Sequence, residues 1–383
     1  VPAARTATSF VVLVGAVSLF ADMTYEGARS VAGPFLGLLG ATGAGVGIVA
    51  GLGELAGYAL RLLSGYLSDR TGRYWAVAIA GYAINMLAVP ALALAGRWEA
   101  AAALLILERV GKGIRTPPRD VLLSHAAARV GRGWAFGLHE ALDQAGAVTG
   151  PLLVAALLGL GRGYREAFAA LLAPALLALL VLALARARYP EPQRFEPASR
   201  GADGERGFAR AFWTYVAAVA CLAVGFADFP LIAFHLKTAG VARDSTIPVL
   251  FALAMAVDGL VALAFGRAFD RRPLPTLLAV PLASCLFAPL AFSGRLGLAA
   301  LGTVLWGVGM GAQESVLRAA VAQMVPAARR GTAYGVYNTV YGVAWFAGSA
   351  AMGALYDVSL PALMVFSVAS QLAAVPILLS LRK

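Results

Sequence analysis

LLILERVGKGIRTPPRDVLLSHAAARVGRGWAFGLHEALDQAGAVTGP, running from Leu104 to Pro151, is two apolar helical segments interrupted at membrane depth by a dense set of charges. At about 100° per residue, Glu108, Lys112, Arg115 and Arg119 fall within one sector about 60° wide, and Glu140 and Asp143 share a similar sector of the next segment. An ionised side chain on a lipid-facing helix costs about 2.5 to 3.5 kcal/mol or more at the bilayer centre, so these stripes must face each other, other helices or a wet cavity. Lys112 and Arg115 lie roughly 18 to 22 Å from the outer end of their helix, a depth from which snorkelling to the surface is hard. The pattern is that of a transport pathway.

The surrounding chain fits that setting. Its 383 residues are 60% hydrophobic and only 13% charged, against roughly 25% charged for a soluble domain. Twelve membrane-spanning helices are expected, near residues 8–36, 44–67, 75–95, 100–123, 133–159, 164–186, 211–236, 246–268, 274–293, 296–323, 331–355 and 359–381. The fold class is therefore all-α and integral to the membrane. The first apolar run continues past any short signal-peptide core into helix-compatible sequence with no convincing cleavage site, so we expect no cleaved signal. Cys221 and Cys285 both lie in apolar stretches and read as packed thiols.

A net charge of +11 would suggest nucleic acid in a soluble protein, but its placement excludes that partner. With spans numbered from a cytoplasmic N-terminus, the even-numbered turns and both tails hold 18 of the 31 Lys and Arg, the odd-numbered turns hold 6, and 7 lie inside spans. This asymmetry puts both termini in the cytoplasm, and the inner membrane is the expected location.

Residues 187–210 are rich in Pro, Gly and charge and cannot span lipid, so they read as a cytoplasmic linker between a six-helix bundle over 1–186 and another over 211–383. The halves match. Phe20, Ala21 and Asp22 recur as Phe226, Ala227 and Asp228; Gly65, Asp69 and Arg70 as Gly266, Asp270 and Arg271; Gly133, Ala135, Gly137 and Gly150 as Gly331, Ala333, Gly335 and Gly348. Both copies start on the same side, so this is a parallel duplication with its axis along the membrane normal.

With these features the chain resembles the major facilitator superfamily over nearly its whole length. The loop Gly65, Tyr66, Leu67, Ser68, Asp69, Arg70, Thr71, Gly72, Arg73 resembles that family's most diagnostic signature. Here Gly65 would permit close helix contact, Asp69 could accept from the N-terminus of a neighbouring helix, and Arg70 and Arg73 would hold the cytoplasmic face. Asp270 and Arg271 form a weaker second copy. Arg109 stands where the family often has an arginine linked to proton movement, with Gly113 four residues on; Lys112 departs from a common Gln. Gly146, Ala147, Val148, Thr149, Gly150 and Pro151 resemble the fifth-helix signature of exporters that exchange substrate for protons, although its closing pair of glycines is replaced by Val154 and Ala155.

Other candidate pathway residues are Asp22, Glu26 and Arg29 on one face of the first span, Glu54, Tyr58 and Arg61 on one face of the second, Asp228, Asp258, Glu314, Tyr337 and Asn338. The third, sixth, ninth and twelfth spans, peripheral in the family, carry almost no charge. His139 shares a turn with Glu140 and Asp143 and could form a proton relay; no metal site is assigned. Pro117 and Pro118 should kink the fourth helix or loosen its last turns. Gly307, Gly309 and Gly311 read as helix-packing glycines, since no strand precedes them.

The resemblance implies a secondary transporter that alternates access by rocking two bundles about a midplane site. No GxxxxGK[ST] loop occurs, so no nucleotide cofactor is expected. A monomer is expected, with protons as the coupling ion and a small polar, anionic or zwitterionic molecule or a drug as substrate. Efflux by proton antiport is the first reading. Proton-coupled or facilitated uptake of a metabolite stays open, and a membrane-embedded lipid-modifying enzyme is a remote alternative.

Overall fold

The structure, a computed structural model, describes residues 2–130, 132–191, 210–325 and 330–382. The core of the linker, 192–209, lies outside them. Among the described residues there are helices and no strands: α1 Pro2–Leu38, α2 Gly43–Thr71, α3 Tyr74–Ala91, α4 Trp98–Val130, α5 Arg132–Gly159, α6 Tyr164–Ala170, α7 Leu172–Arg188, α8 Arg210–Gly225, α9 Phe229–Thr238, α10 Thr246–Arg271, α11 Pro273–Ser284, α12 Phe287–Ala291, α13 Leu296–Ala312, α14 Arg318–Met324, α15 Arg330–Val358 and α16 Leu360–Leu379.

Ten helical stretches among these residues are long and apolar enough to cross a membrane. α4, interrupted by its charges, and α15, rich in tyrosine and glycine, bring the spans to twelve. Every expected span has its helix. Four differ from the simple rods that apolar length suggests: the sixth is interrupted at Leu171, between α6 and α7, the ninth at residues 285–286, between α11 and α12, and the seventh and tenth depart further. The seventh is broken: α8 stops at Gly225 and α9 begins after Asp228, where Pro230 lacks the N–H that would carry a helix through. The tenth contains a π-helical turn, Gln313–Leu317, between α13 and α14.

α4 runs unbroken through Pro117 and Pro118 to Val130, past the expected end. Pro117 cannot donate to the carbonyl of Gly113, and Ser64 on α2 donates its hydroxyl there instead at 3.2 Å. A neighbouring helix thus satisfies a group that proline leaves open.

The chain forms two compact units. One takes the sequence to Val31 and resumes at Ala56; the other takes Ala32–Leu55 and the chain from α8 onward. In the first unit, helices approach where glycine leaves room: Gly81 of α3 faces the backbone of Arg115, Gly111 of α4 that of Asn85, and Gly113 that of Gly57. Gly65 makes no such approach, since a Cβ there would meet Pro117 at an ordinary 3.6 Å; the close α2–α4 contact lies two turns earlier. Gly146 and Gly150 of α5 press on the carbonyls of Leu19 and Met23 in α1.

The second unit repeats that last device, with Gly348 of α15 against the Val224 carbonyl of α8, as expected of duplicated halves. Gly307 and Gly311 of α13 pack on the backbone of Ala254 and Asp258 in α10, so they are packing glycines. At the start of α2, Asp357 from the end of α15 accepts the N–H groups of Gly43 and Ala44, each at 2.8 Å. A carboxylate from over three hundred residues away thereby caps a helix whose first donors have no intrahelical partner. Asp357→Ala should cost about 1 kcal/mol and lower the unfolding temperature in detergent, with Asp357→Asn losing less; equal melting of all three proteins would show that the cap contributes nothing.

Candidate functional site

Two of the close helix contacts in the first unit assemble one polar cluster. The α3–α4 contact brings Tyr82 and Asn85 against α4, and the α1–α5 contact sets Ser18 and Asp22 beside His139 and Asp143. At its centre Asp22, almost fully buried, receives Arg115 Nη2 at 3.6 Å and the hydroxyl of Tyr25 at 2.9 Å. Lys112 Nζ donates to the Tyr25 oxygen at 2.7 Å and lies 4.0 Å from the centre of its ring. The guanidinium of Arg115, 1% exposed, also sits 4.6 Å above the Tyr82 ring. Two of its nitrogens, Nε and Nη1, have no hydrogen-bond partner among the described residues. Arg115 and Tyr25 therefore meet one carboxylate directly and Lys112 joins them through Tyr25, where low polarity strengthens every charge interaction.

Other predicted residues pair nearby. Glu108 is buried at the α3–α4 seam, where the amide of Asn85 donates to its Oε1 at 2.8 Å and its backbone oxygen at 3.0 Å; Arg109 Nε lies 3.4 Å from Oε2. Glu26 and Arg29 pair on α1 at 3.6 Å. Arg61 stacks 4.8 Å over the Tyr58 ring, and Glu54 is half-buried on the same helix. Arg119 forks onto Asp120 at 2.8 and 2.9 Å and reaches Ser18 Oγ at 3.5 Å; Ser18 in turn bonds His139 Nε2 at 2.8 Å.

The ligand atoms of His139, Glu140 and Asp143 all lie within 4.8 Å of one another. Arg119 reaches the same imidazole through Ser18, and a fixed cation so placed opposes a divalent ion. Glu140 is exposed, whereas Asp143 is half-buried and its Oδ1 has no hydrogen-bond partner among the described residues.

In the signature loop, Gly72 adopts φ +67°, the left-handed region that only glycine enters without strain, and so makes the α2–α3 turn. Asp69 accepts from the Tyr74 hydroxyl at the start of α3 at 3.1 Å, and Arg70 donates to Tyr66 at 3.2 Å; Arg73 is exposed. In the second unit, Asp228 opens α9, Asp258 packs under Gly311, and Asp270 and Arg271 end α10 exposed. Glu314 is exposed in the π turn, Tyr337 stacks on Tyr341, and Asn338 is half-buried. Pro151 is buried on α5.

Sequence reasoning passed over Tyr25, Tyr82, Asn85 and Ser18. Asn85, alone as an amide in an apolar span, and Tyr25, on the Asp22 face of α1, left a visible signal. Tyr82 left none, and it makes α3 more than a peripheral helix.

Twelve apolar spans, a duplicated half and a buried cluster of fixed charges define a polytopic transport protein. A family model described as Major Facilitator Superfamily matches residues 12–349, and the chain belongs to that superfamily. An uncharacterized protein of Mycobacterium tuberculosis is 44% identical over 99% of this chain and 94% of its own length. An uncharacterized transporter of this superfamily from Methanocaldococcus jannaschii is 33% identical over 39% of this chain and 37% of its own. Among solved structures, the nucleoside transporter NupG aligns with a TM-score of 0.77 at 12% identity, covering 98% of this chain and 100% of that one. A bacterial homolog of the human lysosomal transporter Spinster, inward-facing and unoccupied, gives 0.72 at 17% identity, covering 98% and 95%. At such identities these likenesses speak for the fold alone.

Proposed function

We propose that this protein is a proton-coupled secondary transporter that exports a small polar molecule, anionic or zwitterionic, by alternating access. The observation that carries this reading is the buried set Asp22, Tyr25, Lys112 and Arg115: Arg115 meets the Asp22 carboxylate, and Lys112 meets the tyrosine that donates to it, two cations that no bilayer would accept unpaired. Protonating Asp22 weakens its hold on Arg115 and on the tyrosine that engages Lys112, so that an anionic group competes better for these cations. Binding of substrate and of protons is thereby linked through shared partners. Asp143, with an unpartnered buried oxygen close by, is the second candidate carrier, and Glu140 the third.

Export follows the resemblance of Gly146–Pro151 to the exporter signature. The excess of Lys and Arg in the even-numbered turns supports cytoplasmic termini and an inner-membrane location, with bundles 1–186 and 211–383 joined by the linker 187–210. The Asp69–Tyr74 contact supports a gating role for the signature loop. A monomer suffices for this reading.

The test is transport in reconstituted vesicles under an imposed pH gradient, across a panel of anionic and zwitterionic metabolites and drugs. The wild-type protein should concentrate at least one compound, and Asp22→Asn should abolish that accumulation while keeping substrate exchange. If Asp22→Asn, Asp143→Asn and Glu140→Gln, each made singly, all still concentrate the compound, the coupling site lies elsewhere. Flux indifferent to the gradient in the wild type would mean facilitated movement instead.

A further inference from the structure

Besides the break in the ninth span, the second unit holds two backbone irregularities that the charged cluster does not use. Residues 226–228 lie between α8 and α9 outside any helix, and the π turn Gln313–Leu317 interrupts the tenth span. Backbone of this kind persists at membrane depth only where protein or a wet cavity satisfies it, and π turns gather at functional positions.

Side chains close most of the groups so freed. Trp306 donates to the Ala227 carbonyl at 2.8 Å, Ser367 to Gly225 at 2.6 Å, Tyr215 to Leu317 at 2.7 Å and Tyr334 to Arg318 at 3.0 Å. Three donors are left over, one of them the Ser349 hydroxyl a turn beyond Trp345 on α15. Gln313 Nε2 and Trp345 Nε1 are buried, on side chains each 3% exposed, and have no hydrogen-bond partner among the described residues.

Aromatic rings run between these donors. The Tyr341 hydroxyl donates to Gln313 Oε1 at 3.3 Å, and its ring centre lies 5.5 Å from that of Trp345. Tyr337 extends the stack at 5.8 Å with the rings 21° apart. Unpaired buried donors are rare and call for a ligand or a water; two of them beside a ladder of ring faces suit one kind of occupant.

We propose that Gln313, Trp345, Tyr337 and Tyr341 form a binding site for a flat, uncharged heteroaromatic group carrying hydrogen-bond acceptors, as part of the transported substrate. The inference rests on the reading of the protein as a transporter. Such a group lies against the tyrosine faces and accepts from the Gln313 amide and the Trp345 indole, both uncharged donors. A ring without acceptors leaves both donors unpaired and is discriminated against for that reason.

The probe is caffeine, flat and uncharged, with carbonyl and ring-nitrogen acceptors and no N–H donor; indole, flat with a donor and no comparable acceptor, is the control. Binding is measured by titration calorimetry on the full chain in lipid nanodiscs. Caffeine should bind, and Gln313→Leu and Trp345→Phe should each weaken it about tenfold, while indole binding does not follow these two changes. The unfolding temperature of Trp345→Phe should hold or rise, because the change removes an unpaired buried donor, and this keeps the result separate from misfolding. Caffeine that fails to bind the wild type, or that binds both donor variants as tightly, overturns the proposal; the second result is what a water on each donor would give. If the variants lose caffeine while wild-type flux is indifferent to the pH gradient, this site stands and the proton-coupled reading falls. The reverse pattern removes this site alone.

Discussion

Arg115→Met should destabilise the protein by about 3 to 5 kcal/mol, and adding Asp22→Asn should recover a large part of that loss. Both side chains are nearly inaccessible, at 1% and 6% exposed. Removing the guanidinium leaves Asp22 buried with the Tyr25 hydroxyl and the charge of Lys112 to offset its own. A buried charge without its partner is costlier than no pair at all, so the double variant should melt closer to the wild type than Arg115→Met does. Thermal unfolding of all four proteins in one detergent gives the coupling energy directly. Additive single effects would mean that the 3.6 Å contact carries little and that Arg115 is held mainly by the Tyr82 ring. Transport separates the two roles. If the pair is only structural, the double variant transports; if Arg115 holds an anionic substrate, it folds and fails to bind.

Gly150→Leu should be the most damaging apolar change in the first unit. A side chain at that position would run into the Met23 carbonyl of α1, a backbone group that no rotamer can move aside. Overpacking costs about 1 to 3 kcal/mol where side chains can shift, and here the upper end or beyond is expected, with loss of transport because α5 carries Asp143 away from Asp22. Gly137→Ala on the same helix is the contrast. A Cβ there meets nothing within 4 Å, so the exchange should be neutral or stabilising by up to about 1 kcal/mol through helix propensity alone. Expression level and unfolding temperature of the two variants read the difference, and similar values would show that α1 and α5 have room to separate. The same contrast carries to α15, where Gly348 meets the Val224 carbonyl of α8.

Much of this molecule is legible without coordinates because membrane folding is governed by local rules. An apolar run of about 20 residues reads as a helix in lipid, since a helix satisfies its backbone within the segment and a barrel strand is only about half as long; that places all twelve spans, including α4, whose charges depress its hydropathy. Asymmetry of Lys and Arg, the repeat of Phe20–Asp22 in Phe226–Asp228 and the loop from Gly65 to Arg73 are likewise written in the chain, and they suffice for the family. Periodicity assigns Asp22, Lys112, Arg115 and Asp143 to helix faces. It does not say which face meets which.

The tertiary structure decided the pairings, because a partner is chosen by the approach of helices remote in sequence. Gly81 and Gly111 let α3 close on α4, which places Tyr82 over Arg115 and turns Glu108 to Asn85 and Arg109. Gly146 and Gly150 do the same for α5 and α1, and so bring His139 to Ser18. The break at 226–228 and the π turn at Gln313–Leu317 have no period of their own in the sequence. They exist because Trp306, Ser367, Tyr215 and Tyr334, on other helices, supply the hydrogen bonds that a straight helix would have made for itself.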